Sequence, residues 1–383
     1  MPEKKYNIVL SWFMNDWGEF GRTYEKVAIT LSCHERVGHV LVILPPVKHP
    51  KKISAPFSIK KISKKLSVCT PSVKVIDGSG SLYRFRTWAN ESLPGIIFKN
   101  TLKKFGYKKE NTILWLFPPS RYIETLLEIV PHSHKVTQIV DNNTFHSDMS
   151  DKEVEIIDAQ YKKLASLSDT VITSSDLNYD VFKNLNSSTF KFINAVDSQF
   201  IGSPSELPYK INNTRPKLLY VGWISQRTDM ELLKYIAENR PHYEVIIAGP
   251  DEGPLDESKI QKFDNVTYLG KVAYSKLPEL FASSDICLIP HKDNKYSQSM
   301  SPLKLFQYLA SGRPVVSTDI GGIDHWQTLI HVARNYSQFI EAIDSVLVND
   351  NKELSEIRIT EARKETWDIR VNDMLNTILA EHS

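Results

Sequence analysis

This 383-residue chain predicts two α/β domains, each a doubly wound parallel sheet, joined by a linker. Three observations carry that expectation. The chain is longer than one hydrophobic core usually supports. Short buried strand runs alternate with helical patterns through the first half, and the same rhythm restarts in the second. Between the halves, from Gly202-Ser203-Pro204-Ser205 to Arg215-Pro216, the composition turns polar and rich in breakers. The expected division is residues 1–202, a linker at 203–216, a second domain at 217–365 and a tail at 366–383.

The first strand is Tyr6–Trp12, an apolar run. A loop with Gly18 and Gly21 leads to a helix over Thr23–Val37, which Gly38 should end, and then to a strand over His39–Leu44. Strand, helix and strand with short joints make a parallel unit, whose ligands gather at the carboxyl ends of the strands. The loop holding Asp16, Trp17 and Gly18 belongs at that end. Further strands are expected at Val73–Ile76, Thr112–Phe117, Lys135–Asp141, Thr170–Thr173 and Phe190–Ile193. Helices fall near Leu93–Phe105, Arg121–Val130 and Lys152–Leu167, with another starting at Asp176. Asp141 and Asn142 stand just where the fifth of these strands stops.

In the second half strands are expected at Leu218–Val221, Glu244–Ala248, Val266–Leu269, Asp285–Ile289 and Pro314–Ser317. Helices fall near Met230–Asn239, Ser275–Ala282, Ser337–Leu347 and Thr366–Ala380. The stretch from Ser299 to Thr318 reads as loop, helix, tight stop and strand. Ser301 suits an N-cap, Pro302 the first helical position and Gly312 the left-handed stop. The amide groups opening that helix, with Lys304 one turn in, form a candidate diphosphate seat. The competing reading is an ordinary helix with a surface lysine.

Composition narrows the classes. Forty-one per cent hydrophobic and 24% charged residues are ordinary for a globular chain, and a net charge of +2 is too balanced for a general polyanion binder. Three widely spaced cysteines offer no disulfide or metal framework and suit reduced thiols in the cytoplasm. No apolar run reaches spanning length, and the first residues pass directly into a strand pattern, so neither a membrane helix nor a signal peptide is expected. Residues 47–66 depart from the rest, with Lys48, Lys51, Lys52, Lys60, Lys61, Lys64 and Lys65 interleaved with Ile53, Phe57, Ile59 and Ile62. That segment reads either as a solvated loop or as a basic, partly apolar face for an anionic membrane. No nucleic-acid module surrounds it.

Four segments in order resemble the nucleotide-sugar half of GT-B glycosyltransferases, especially the bacterial group often called family 4. They are Leu219-Tyr220-Val221-Gly222-Trp223-Ile224, Val245-Ile246-Ile247-Ala248-Gly249-Pro250, the run from Val266 through Lys271-Val272 to Asp285, and Ser299 through Val316. Val171–Ser175 and Ile193–Phe200 add likenesses in the first half, the latter to the segment at the family's domain joint. The resemblance implies a central cleft between two Rossmann-like domains, a nucleotide diphosphate sugar as donor, and a tail helix crossing back. Carried over residue by residue, the donor side comprises Gly222, Trp223, Arg227, Gly249, Lys271, Val272, His291, Ser301, Leu303, Lys304 and Gln307. Trp17, Gly18 and Asn142 fall on the acceptor side.

Retaining members of the family carry two glutamates eight positions apart, where this sequence has Ser299 and Gln307. Lysine followed three positions later by glutamine is similar to bacterial exopolysaccharide glucuronosyltransferases, which invert. Inversion needs a group that takes the acceptor's proton. Asp141 is the first candidate and Asp16 the second; the competing reading of each is a turn or capping aspartate. Arg227 can meet two phosphate oxygens at once. No Asp-x-Asp occurs, so no metal or other cofactor is expected, and Lys304, Arg227 and the helix start would carry the leaving-group charge.

The expected activity is sugar transfer from a nucleotide diphosphate sugar, a UDP-sugar foremost, to a saccharide or lipid-linked acceptor in bacterial surface polysaccharide or glycoconjugate synthesis. The expected site of action is the cytoplasm, at the inner face of the membrane if residues 47–66 form the basic face rather than a solvated loop. A sugar-nucleotide epimerase on the same fold and a non-catalytic binding module are the alternatives.

Overall fold

A computed structural model describes residues 5–13, 17–18, 21–49, 57–74, 93–120, 122–202, 215–251 and 263–381. Among them the first sheet is built from β1 (Tyr6–Ser11), β2 (Val37–Ile43), β3 (Val47–His49), β4 (Phe57–Lys61), β5 (Leu66–Lys74), β6 (Thr112–Leu116), β7 (His134–Ile139), β8 (Thr170–Thr173) and β9 (Thr189–Lys191). Their order is β3-β5-β2-β1-β6-β7-β8-β9, parallel throughout, with β4 added antiparallel to β5. The second sheet holds β10 (Lys217–Val221), β11 (Glu244–Ala248), β12 (Val266–Tyr268), β13 (Ile286–Ile289), β14 (Val315–Thr318) and β15 (His331–Ala333). It runs β12-β11-β10-β13-β14-β15, also parallel. Central strands β1, β6 and β8 are buried at every position. That fits their unbroken apolar runs, because helices cover both faces of a parallel sheet.

Several boundaries differ from expectation. The first helix spans Thr23–Cys33 and stops four residues before Val37. Gly38 is not its cap: it lies within β2, where an added Cβ would come within 2.6 Å of Asn7 Oδ1. The strand expected at Val73–Ile76 begins at Leu66, and Phe57–Lys61 folds against it as a hairpin, so Lys60 and Lys61 lie on a strand, while Lys51 and Lys52 of the same lysine-rich stretch lie outside the described residues. A helix at Lys352–Arg363 was unforeseen; its mean hydropathy is low and it carries many charges. The expected linker falls mostly outside the described residues.

The tail helix, Trp367–Glu381, leaves the second domain and packs on the first. Trp367, Val371, Met374, Leu375, Ile378 and Leu379 join the core formed by Ile8, Leu10, Val27, Leu31 and Val40. The first domain therefore contains chain from both ends of the sequence. Val196 pairs with Thr366 where the chain crosses over and back.

Candidate functional site

The carboxyl ends of the two sheets face one another across a cleft of about 250 Å³. Its floor is the helix Leu303–Ala310, whose Leu305, Phe306, Leu309 and Ala310 sink into the second domain's core. That burial leaves Lys304 and Gln307, three residues apart and therefore on one face, turned to the cleft. Ser301 does not cap the helix. Pro302 holds the N-cap position, and the Ser301 hydroxyl instead accepts the Asn194 amide at 3.0 Å, a bond to the other domain. Gly312, at φ 74°, provides the expected stop.

Lys304 Nζ lies 3.0 Å from His291 Nε2, 3.3 Å from the Tyr220 hydroxyl and 4.4 Å above the Tyr220 ring. When Lys304 is charged it can only donate, and His291 Nε2 then accepts. Burial first, then the charges of Lys304 and Arg227, hold the His291 pKa well below its ordinary value. The Lys304 side chain is partly exposed to the cleft but ringed by protein. Burial, followed by the charges of Arg227 and Arg22, pushes its pKa down to about 7.

Two glycines make room for this group. A Cβ on Gly222 would stand 2.5 Å from Lys304 Nζ, and one on Gly249 only 1.9 Å from the Gly222 carbonyl oxygen. The φ of +145° at Gly249 adds a second reason for glycine there.

Arg227 lies beyond the Gly222 turn with its guanidinium 3.6 Å from the Tyr296 ring centroid and its Nη2 3.2 Å from Asp141 Oδ2. Burial alone would lower the Arg227 pKa, but the charges of Asp141 and Tyr296 outweigh it and hold it above the ordinary value. Asp141 follows β7 of the first domain, so this ion pair crosses the cleft. Among the described residues that line it, Asp141 is the sole carboxylate against Arg22, Arg227 and Lys304.

Gln307 donates to the Tyr274 hydroxyl at 3.4 Å, and Tyr274 donates to Asp197 at 3.1 Å. Asp197 also pairs with Lys26 of the first helix, whose ammonium sits 4.6 Å above the Tyr274 ring. With its amide nitrogen turned to Tyr274, Gln307 keeps its oxygen as an acceptor for a ligand hydroxyl.

Of the expected donor-side residues, Gly222, Trp223, Arg227, Gly249, Val272, His291, Ser301, Leu303, Lys304 and Gln307 line the cleft together with Asp141. Lys271 does not join them; it is exposed one residue before Val272. The acceptor-side group is also displaced. Trp17 packs edge-on to Tyr24, and the Gly18 amide donates to Glu25 Oε1 at 2.5 Å. Asn142 is buried, its side chain accepting from the Thr144 amide at 3.1 Å as the cap of a short turn. Asp16 lies outside the described residues. Arg22, Thr23, Asn194, Ser225 and Tyr274 line the cleft without having been anticipated. Arg22 stands over Trp223 at 4.6 Å, and only its place directly after Gly21, at the opening of the first helix, hinted at it.

Ser299, where retaining relatives carry a glutamate, is fully buried and faces the other domain. Its carbonyl accepts from Ser175 Oγ at 3.0 Å and Asn178 Nδ2 at 2.9 Å.

Residues 215–349 match the family model described as glycosyl transferases group 1. A protein of Bacillus subtilis (strain 168) named as a teichuronic acid biosynthesis glycosyltransferase, TuaH, is 26% identical over 233 residues. That match takes in 57% of this chain and spans 59% of the relative's length. Among solved structures, an α,α-trehalose 6-phosphate synthase from Burkholderia multivorans superposes with a TM-score of 0.69 at 11% identity, covering 98% of both chains. Anabaena Alr3699/HepE, solved with UDP and glucose, superposes at 0.65 with 14% identity, covering 98% of this chain and 99% of its own. The fold is therefore GT-B, two parallel α/β domains about a cleft, and its second half carries a group 1 glycosyl transferase domain.

Proposed function

We propose that this chain, with its group 1 glycosyl transferase domain at residues 215–349, transfers a sugar from a nucleotide diphosphate sugar to a saccharide acceptor in bacterial surface polysaccharide or glycoconjugate synthesis. The carrying observation is the convergence of Lys304, Arg227 and Arg22 on a cleft with a single carboxylate among its described residues. Such an excess of positive charge suits a ligand with two adjoining phosphates. A UDP-sugar is the leading donor, in keeping with the UDP held by the Anabaena relative. Gln307 would accept a ribose hydroxyl, and the apolar end at Pro250, Val272 and Leu277 would take the base.

The reaction is a direct displacement. The acceptor hydroxyl gives its proton to an Asp141 oxygen while the acceptor oxygen bonds to C1 of the sugar. The C1–O bond to the diphosphate breaks, and its electron pair leaves on the nucleoside diphosphate, beside Lys304 and Arg227. A single displacement from the face opposite the diphosphate, with Asp141 as base, inverts the configuration at C1. The occupied, inward-facing Ser299 favours this over retention, since it leaves no acidic partner at that position.

A second element of the proposal is attachment to an anionic membrane surface. Among the described residues no helix is long and apolar enough to cross a membrane. The supporting observation is that the hairpin lysines do not stand alone. Lys61 lies close enough to His39 to lower its pKa, after burial, and the His39 ring stacks on Phe105 at 5.2 Å. Lys60, Lys61 and Lys64 are thereby joined by Lys103, Lys104, Lys108 and Lys109, all exposed, with Ile62 and Phe105 exposed among them. Lysine is disfavoured in protein interfaces, whereas lysines around exposed apolar groups suit anionic lipid.

The function is tested by a thermal-shift screen of UDP-, GDP-, dTDP- and CMP-sugars followed by transfer assays. Binding of one donor and transfer dependent on acceptor is the expected result, with both lost in Lys304→Ala. Epimer formation without acceptor would point to the epimerase alternative. Binding with no turnover of any kind would point to a non-catalytic module.

A further inference from the structure

The Asp141–Arg227 contact ties the expected base to the expected donor-binding cation. It joins the end of β7 in the first domain to the loop after β10 in the second, 3.2 Å apart. Although buried, Arg227 Nε has no hydrogen-bond partner in the structure, and Nη2 meets Asp141 as an ion pair without hydrogen-bond alignment. The Arg227 side chain is 14% exposed and lines the same cleft as Lys304 and His291. A guanidinium with unused donors, facing a diphosphate seat, is poised to exchange its partner.

We propose that the Asp141–Arg227 pair is a donor-operated latch on the base: the arriving diphosphate takes Arg227 from Asp141, and only then is the Asp141 carboxylate available to the acceptor. This rests on the glycosyl-transfer reading above. The physical reason is competition. A carboxylate engaged by a guanidinium has an oxygen occupied and is less open to an acceptor hydroxyl. A diphosphate offers Arg227 two oxygens in a forked geometry that one carboxylate contact does not match. Once it has moved, the Asp141 oxygen that faced Nη2 is free to accept from the acceptor hydroxyl. The exchange is reciprocal, so Asp141 weakens donor binding by the factor by which the donor frees Asp141.

The test is a double-mutant cycle read by isothermal titration. Wild type is titrated first with UDP, GDP, ADP and dTDP. If none binds, the glycosyl-transfer reading itself fails. With the one that binds, Asp141→Asn is expected to bind the nucleotide about five- to tenfold more tightly, since the competitor is gone. In an Arg227→Gln background the same change is expected to alter affinity less than about twofold. Equal gains in both backgrounds would reduce Asp141 to a through-space repulsion and overturn the latch. Unchanged or weaker binding in Asp141→Asn alone would make the pair a structural strut and overturn it too. Should Arg227→Gln not fold, Arg227→Lys replaces it, because an ammonium cannot fork between two oxygens; a gain at least halved is expected, and an undiminished gain overturns the latch.

Discussion

Lys304 concentrates the chemistry of the site at a single residue. Its neighbours do not stabilise its charge: its hydrogen-bond partner is a histidine, and Arg227 and Arg22 press on it. With a folded pKa near 7 against an ordinary 10.5, the fold disfavours the charged form. The unfolded chain then binds more protons between those values. The cost is therefore full below pH 7 and fades as pH rises toward 10.5. Lys304→Met should melt higher than wild type at pH 6.5 and lose most of that advantage by pH 9.5, while donor binding collapses; calorimetry at the two pH values checks it. The same linkage acts on the ligand. Above pH 7 the free site must take up a proton to bind diphosphate, so affinity should fall by up to about tenfold per pH unit between the free and bound pKa values. Affinity independent of pH from 7 to 9 would show that Lys304 does not meet the phosphates.

At the scale of elements, the β4–β5 hairpin turned a lysine run into one face of a basic end. Lys61 pairs with Ser67 near the start of β5, and at the same end His39 of β2 and Thr112, the first residue of β6, both lie beside Asn7 of β1. This end lies opposite the cleft, which opens at the carboxyl ends of the strands. Attachment through it would anchor the molecule with the cleft turned away from the lipid. Changing Lys60, Lys61, Lys103 and Lys104 to glutamine should weaken binding to phosphatidylglycerol vesicles by roughly fivefold per lysine, with transfer to a soluble acceptor intact. Undiminished binding in vesicle co-sedimentation would remove the membrane proposal. The donor helix teaches the reverse lesson. Its length, its stop at Gly312 and its apolar face follow local rules, yet the serine suited to cap it was drawn across to Asn194.

For the whole molecule the decisive fact is closure. Ser299 is held by Ser175 and Asn178, Ser301 by Asn194, and Asn194 in turn accepts from Thr23 at 2.9 Å. These bonds bring the donor helix against the first domain. Asn178→Ala removes one of the two donors to the Ser299 carbonyl, at about 1 kcal/mol, and should lower the closed-to-open ratio roughly fivefold. The expected readout is a larger radius of gyration in solution scattering and a lower kcat, with nucleotide affinity little changed. An unaltered radius and rate would mean that closure does not depend on this bond. The tail helix works at the same scale, since Trp367 and Leu375 lie in the first domain's core and couple the two halves.

The sequence by itself determined what depends on a few neighbouring residues. Apolar runs marked most strands, glycine marked the turns at Gly222 and Gly249, and a spacing of three put Lys304 and Gln307 on one face. Most of the donor-side residues line the cleft because turn chemistry and burial act over short distances. Only the tertiary structure decided which groups meet from far apart in the chain. It set Arg22 and Asn194 in the cleft, turned Trp17, Gly18 and Asn142 to packing and capping, and paired Asp141 with Arg227. No local pattern encodes such partners, because their distance depends on how two domains close. A lysine in the sequence is only a charge; burial beside Arg227 and Arg22 drives its pKa toward 7 and suits it to the phosphate contact proposed above.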